Sequence, residues 1–210
     1  LATIDVLERN FPGRRAQLKR EILLGALACF NEHGLDVTTI EMIKVRCDTS
    51  VGNIYHHFGS KEGLAAALFF SSLEDQGRLL SEYLEKAQTA QEGVSAIVYS
   101  YVDWVANQPE LASFQYQGRS MVAKGPYSDE LTARNRSRNQ NLLNWWNVPG
   151  RRELIKSIPL ELFPSLIIGQ AESYCRAWLS GRVHTTPTAY RAHLAQAAWL
   201  SLGTDVQGNS

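Results

Sequence analysis

Residues 38–64, TTIEMIKVRCDTSVGNIYHHFGSKEGL, decide the fold. Thr38 and Glu41 stand at the Thr-x-x-Glu spacing of a capping box, which predicts a helix starting at Thr39 with its free N–H groups satisfied. Ile40, Ile43 and Val45 are the apolar positions of that helix, and Cys47-Asp48-Thr49 reads as a three-residue break. A second short helix, residues 50–57, offers Ile54 to the same core, followed by Phe58. Its other face carries Ser50, Val51, Gly52, Asn53, Tyr55 and His56. That face is small at its start and polar or aromatic further on, which suits a helix entering a DNA major groove. Ser60-Lys61-Glu62 opens the next helix, with Lys61 in its first turn.

Working outward, residues 1–13 lack useful periodicity, and Pro12-Gly13 breaks whatever precedes them. From Arg14 the positions Leu18, Ile22, Leu23, Ala26, Leu27 and Phe30 recur at helical spacing, and Gly34 is a stop. Helices of eight residues are unstable in isolation, so these three must pack together to exist. A long fourth helix is expected over 61–86, on Leu64, Leu68, Leu73, Leu79, Leu80 and Leu84. Further helices are expected over 91–107, 109–123 and 128–146, then from somewhere between Pro159 and Pro164 to Gly181. Thr186-Pro187 is read as opening a last helix that ends at Leu202, and residues 203–210 as a disordered tail. The expectation is an all-α chain of about nine helices, without strands or repeats.

Composition bounds the function. With 44% hydrophobic and 20% charged residues the chain resembles an ordinary globular protein with a real core. Formal net charge is zero, and residues 1–61 hold eight Lys/Arg against seven Asp/Glu. A face for nucleic acid must therefore be local, with Arg14, Arg15, Lys44, Arg46 and Lys61 to supply it. Cysteines 29, 47 and 175 match no zinc spacing and suggest reduced thiols in a cytoplasm. No apolar run reaches membrane-spanning length, and LATIDVLERNFPGRR lacks a signal-peptide pattern, although the chain begins with Leu rather than Met. Adjacent side chains on a helix point about 100° apart, so His56 and His57 cannot easily chelate one ion, and no metal or cofactor is expected. No nucleophile elbow, glycine-rich phosphate loop or paired-carboxylate motif recommends an enzyme.

The run Asn-Ile-Tyr-His-His-Phe-x-Ser-Lys-Glu-x-Leu at 53–64 resembles the recognition-helix signature of the TetR (tetracycline-repressor-like) family of bacterial transcription regulators. The strong likeness covers roughly residues 15–70. It implies a three-helix helix-turn-helix DNA-binding domain over 14–60, followed by a helical ligand-binding and dimerisation domain over 61–203. It implies DNA-facing roles for Tyr55 and His56, a structural or phosphate role for His57, and a DNA-backbone contact for Lys61. Asp48 departs from the glycine common in the family's turn, at a position Asp tolerates. Val51 replaces a basic or polar residue and could leave a methyl contact to thymine instead. Thr38 being assigned as the cap, Thr39 is the better hydroxyl for phosphate.

The expected DNA-binding set is thus Thr39, Lys44, Ser50, Val51, Gly52, Asn53, Tyr55, His56 and Lys61. The larger domain is rich in aromatics, most of them core by spacing. Trp104, Phe114, Tyr116, Arg119, Trp145, Glu172 and Tyr174 are the ligand-site candidates, since they place polar tips and charges in otherwise apolar helices. The last two helices carry more apolar residues than one stripe needs, which predicts a homodimer through them. The leading reading is a ligand-responsive repressor with a palindromic double-stranded DNA operator. The alternatives are a helical small-molecule carrier or enzyme with merely structural N-terminal helices, and a redox regulator using Cys47 or Cys175.

Overall fold

Ten α-helices follow one another in the computed structural model, which describes residues 2–204. They are α1 (Ala2–Asn10), α2 (Gln17–His33), α3 (Ile40–Cys47), α4 (Val51–Phe58), α5 (Lys61–Leu84), α6 (Ala90–Asn107), α7 (Pro109–Lys124), α8 (Ser128–Trp146), α9 (Phe163–Leu179) and α10 (Arg191–Leu202). Short 3-10 turns occupy Arg14–Ala16, Arg152–Leu154 and Pro187–Tyr190. The expected all-α class holds. The only extended pairing among the described residues is an isolated bridge between Ile155 and Gly203. Two compact units form, one from Leu1–Asp75 with Gln108–Asn135, the other from Gln76–Asn107 with Arg136–Ser210.

In the first unit α2 is the floor, and it packs on α1, α3 and α7. Its residues Ile22, Leu23, Ala26, Leu27, Cys29 and Phe30 are all buried. Phe30 stacks on Phe114 of α7 with ring centroids 5.6 Å apart. The helix α1 is a correction to the sequence reading. It is short, and its two buried residues, Val6 and Leu7, are adjacent rather than spaced at three or four, so no stripe announces it. Arg9 fastens it to Asp75 at 2.7 Å, and the Thr3 hydroxyl donates to Gln108 Oε1 at 3.4 Å.

In the second unit α6, α9 and α10 pack on one another. Val94, Val98, Val102, Trp104 and Val105 bury one side of α6, with Ile167, Ala171 and Cys175 from α9 and Ala195, Ala198 and Leu202 from α10. Gly93 admits the Trp145 indole so closely that a Cβ there would lie 2.3 Å from the ring. Pro164 is the second residue of α9, where no N–H is required, so the helix starts at the later of the two expected boundaries. Pro187 opens a 3-10 turn, and the last α-helix begins at Arg191. Gly203 and Thr204 are tied in by the bridge and by a 2.9 Å bond from the Thr204 N–H to the Leu154 carbonyl, against the expectation of a loose tail. The rest of that tail, 205–210, lies outside the described residues.

One polar cluster sits in this unit. Asp103 interrupts the apolar run of α6, and its Oδ2 accepts from the Tyr83 hydroxyl at 2.5 Å and from the Arg191 guanidinium. Arg191 also lies over the Tyr99 ring, 4.9 Å from its centroid. The bond to Asp103 pushes the Tyr83 phenol pKa up, with burial adding to it, so the phenol stays a donor.

Candidate nucleic-acid interface

The entry to α3 differs by one residue from the sequence reading. Thr39, in extended conformation, is the N-cap, its hydroxyl accepting from the Met42 N–H at 3.3 Å. Thr38 is buried, with its hydroxyl 2.7 Å from the Gly34 carbonyl and 3.1 Å from that of Cys29. A cap hydroxyl that accepts from the backbone keeps its own hydrogen, so exposed Thr39 can still donate to a phosphate oxygen. Ile43 is buried, whereas Val45 is 75% exposed and is not core as expected. Two residues along a helix turn 200°, which carries Val45 to the side opposite Ile43.

The turn is closely built. Cys47 ends α3 against α2, where a Cβ on Gly25 would fall 2.1 Å from the Cys47 sulfur. Asp48 adopts the left-handed conformation at φ 47°, the only non-glycine with positive φ among the described residues. Ser50 caps α4 by accepting from the Asn53 N–H at 3.1 Å, and the Asn53 amide donates to Thr49 at 3.2 Å. Ile54 and Phe58 then bury one face of α4, leaving Gly52, Asn53, Tyr55 and His56 exposed and Val51 half-buried. Gly59 ends the helix at φ 71°. Gly63 of α5 touches the Phe58 carbonyl so closely that a Cβ would lie 1.9 Å away. The outer face of α4 is thus held from both ends.

Charges around it are mostly engaged. Lys44 pairs with Glu41 at 3.0 Å, and Arg46 pairs with Glu32. The Lys61 ammonium donates to the carbonyls of Leu35 at 2.8 Å, Thr38 at 3.0 Å and Asp36 at 3.3 Å. Its three protons therefore hold the α2–α3 turn. Lys19 of α2 lies over the Phe11 and Phe58 rings, at 4.6 and 5.4 Å from their centroids. Nothing in the apolar periodicity of α2 marked it. Burial lowers the His57 imidazole below its ordinary pKa, and the His56 and Lys19 charges act in the same direction. His56 and His57 meet edge to face at 5.1 Å, and no group of three metal-ligating side chains occurs among the described residues.

The cysteines give little to a redox reading. Burial pushes the Cys47 thiol up to about 11, with Cys29 adding to the shift and Arg46 opposing it. Burial pushes Cys175 up to about 12. Thiols held protonated react slowly at neutral pH.

The seven ligand-site candidates divide between the units. Phe114, Tyr116 and Arg119 belong to the first; Trp104, Trp145, Glu172 and Tyr174 belong to the second. Phe114 and Trp104 are fully buried core residues. Arg119 is exposed and Tyr116 half-buried. Trp145 carries the Arg151 guanidinium 3.9 Å from its ring centroid. Glu172 pairs with Arg176 at 2.7 Å, and Tyr174 donates to the Thr185 carbonyl at 3.0 Å. Sequence reasoning missed Asp103, Tyr83 and Arg191; a carboxylate within VYSYVDWVAN was the available signal.

A capped helix with a buried apolar face and an exposed polar one, set on a left-handed turn after another short helix, defines a helix-turn-helix protein. Residues 22–68 match the family described as bacterial regulatory proteins, tetR family. The repressor AcnR of Corynebacterium glutamicum is 43% identical over 61 residues, which are 29% of this chain and 31% of that protein. The repressor Rv1474c of Mycobacterium tuberculosis is 32% identical over 103 residues, 46% of this chain and 50% of that one. The chain thus spans half or less of these curated relatives. Among solved structures, a TetR family regulator from Marinobacter aquaeolei superposes with a TM-score of 0.73 at 20% identity, over 89% of this chain and 95% of that one. The regulator FadR of Bacillus subtilis, solved with stearoyl-CoA, gives 0.69 at 16% identity, over 87% and 98%. These likenesses show the fold. The family is one of regulators rather than enzymes. No helix among the described residues is long and apolar enough to cross a membrane.

Proposed function

We propose that the chain is a dimeric, sequence-specific DNA-binding regulator of transcription, acting in the cytoplasm as a repressor that a small apolar or aromatic ligand releases. The observation that carries this is the outer face of α4. Gly52, Asn53, Tyr55 and His56 are exposed together on a helix whose opposite face, Ile54 and Phe58, is fixed in the core. A merely structural helix needs no such face. Residues 14–60 are the reading domain, and residues 61–203 hold the effector and the dimer contacts. Thr39, Ser50 and Asn53 reach phosphates, Val51 and Gly52 allow close approach, and Tyr55 and His56 touch base edges. Lys44 sits beside Glu41 and adds little net charge.

A twofold dimer would set two such helices roughly 34–36 Å apart, so the operator should be a near-palindrome. The effector reading is supported by FadR having been solved with stearoyl-CoA. Selection of a duplex from a random library, followed by titration of Tyr55→Ala and His56→Ala, tests the function. Each variant should keep its helical content and lose roughly 10- to 100-fold in affinity for the selected duplex. Wild-type affinity in both variants would reject the groove assignment.

A further inference from the structure

We propose that the elbow at residues 11–16, between α1 and α2, grips the phosphate backbone of duplex DNA through Arg14 and Arg15, and that these two arginines carry much of the salt dependence of binding. The inference rests on the DNA-binding reading and adds to it a second surface. It starts from an inventory of the cations at residues 1–61. Arg9 is paired with Asp75, Lys44 with Glu41 and Arg46 with Glu32. Lys61 is bound to three carbonyls. Lys19 lies over two aromatic rings. Arg14 and Arg15 are exposed, and among the described residues no carboxylate pairs with either.

The elbow is built rather than loose. Gly13 turns the chain at φ 84°, and one Arg20 nitrogen donates to the Phe11 carbonyl at 2.7 Å and to the Gly13 carbonyl at 2.9 Å. Its position beside the reading helix follows from Lys19, whose single ammonium faces both Phe11 of the elbow and Phe58 at the end of α4. The two segments so joined are free of acids, since no Asp or Glu occurs at residues 9–20 or 49–61. Two guanidinium groups on a segment that itself carries no acid, joined to an equally acid-free reading helix, are complementary to a polyanion.

The test is a titration of the full-length chain against the selected duplex and a scrambled one, over a series of salt concentrations. Arg14→Ala/Arg15→Ala should lower the slope of log affinity against log salt by about two per bound protomer, about four for the dimer, equally on both duplexes. A fourfold drop in salt should then strengthen the variant dimer's binding by about two orders of magnitude less than it strengthens the wild type. Arg14→Lys/Arg15→Lys should restore the slope. An unchanged slope in the alanine variant, with Tyr55→Ala still losing the selected duplex, overturns the proposal and leaves the DNA-binding reading intact. Failure of the wild-type chain to bind any duplex overturns both.

Discussion

The Lys61 ammonium lies 3.0 Å from the carbonyl oxygen of Thr38, the residue just before the cap of α3, and it bonds two more carbonyls of the same turn. A lysine in the first turn of α5 thus fixes where α3 begins. A hydrogen bond to a charged group contributes about 1.5–3 kcal/mol net of its exchange with water, less where solvent still reaches it, and Lys61 is half-buried. Lys61→Ala should therefore lower the urea midpoint by the equivalent of about 1–3 kcal/mol. Operator affinity should fall through loosening of the turn, with the salt slope nearly unchanged. A drop of about one in slope per protomer, about two for the dimer, with wild-type stability would return Lys61 to the phosphate.

Gly63 and Asp48 make a second pair of tests, opposite in sign. A Cβ at Gly63 would stand 1.9 Å from the Phe58 carbonyl oxygen, which is backbone and cannot swing aside. Gly63→Ala should cost about 2 kcal/mol or more and weaken DNA binding, because α4 must shift. Asp48 occupies a left-handed conformation that favours glycine, so Asp48→Gly should gain up to about 1 kcal/mol. Thermal unfolding of both variants decides. Tolerance of Gly63→Ala without change in melting would mean that the α4–α5 junction is looser than described.

The helix-turn-helix was legible because its signals are local: hydroxyls at the caps, glycines at the stops, and Ile54 and Phe58 one turn apart. The same locality explains the errors. Two consecutive threonines offer equivalent caps, and only the buried pocket of Gly34 and Cys29 carbonyls chooses Thr38 for the core. Helix α1 hides behind an adjacent apolar pair. Lys19 reads as a plain surface lysine until Phe11 and Phe58, distant in sequence, converge on it. For the effector residues the obstacle is larger. Whether Phe114 lines a site or fills a core depends on Phe30, 84 positions away, which no spacing rule reaches.

His57 predicts a pH effect on stability. Its folded pKa lies below the ordinary histidine value of about 6.5, so the unfolded chain binds the proton more readily. The unfolded state then carries more protons as pH falls below about 6.5, and stability declines with it until the folded-state imidazole also titrates. At pH 8 both forms are neutral and the effect vanishes. His57→Gln should therefore lose less stability than the wild type between pH 7.5 and pH 5.5. Equal losses in the two proteins would show that the shift at His57 has no weight in folding.

The dimer prediction turns on which apolar residue of α10 is replaced by a charge. Trp199 is an apolar residue of α10 and an obvious place for a charge, but a Cβ on Gly203 would lie 2.6 Å from its indole. The ring is packed against its own chain, so Trp199→Glu would confound folding with assembly. Leu200, the next residue, is 66% exposed, and Leu160 is 72% exposed at the approach to α9. Exposed leucines on these elements are what a partner chain would cover. Leu200→Glu should leave the melting of the monomer's own helices nearly unchanged, because the Leu200 side chain is largely exposed. Across a symmetric interface the same glutamate would be buried twice without a counter-charge, weakening association by several kcal/mol. Light scattering at micromolar concentration should show a wild-type dimer and a Leu200→Glu monomer with reduced operator affinity. A wild-type monomer, or a variant that dimerises as tightly as the wild type, would place the interface elsewhere.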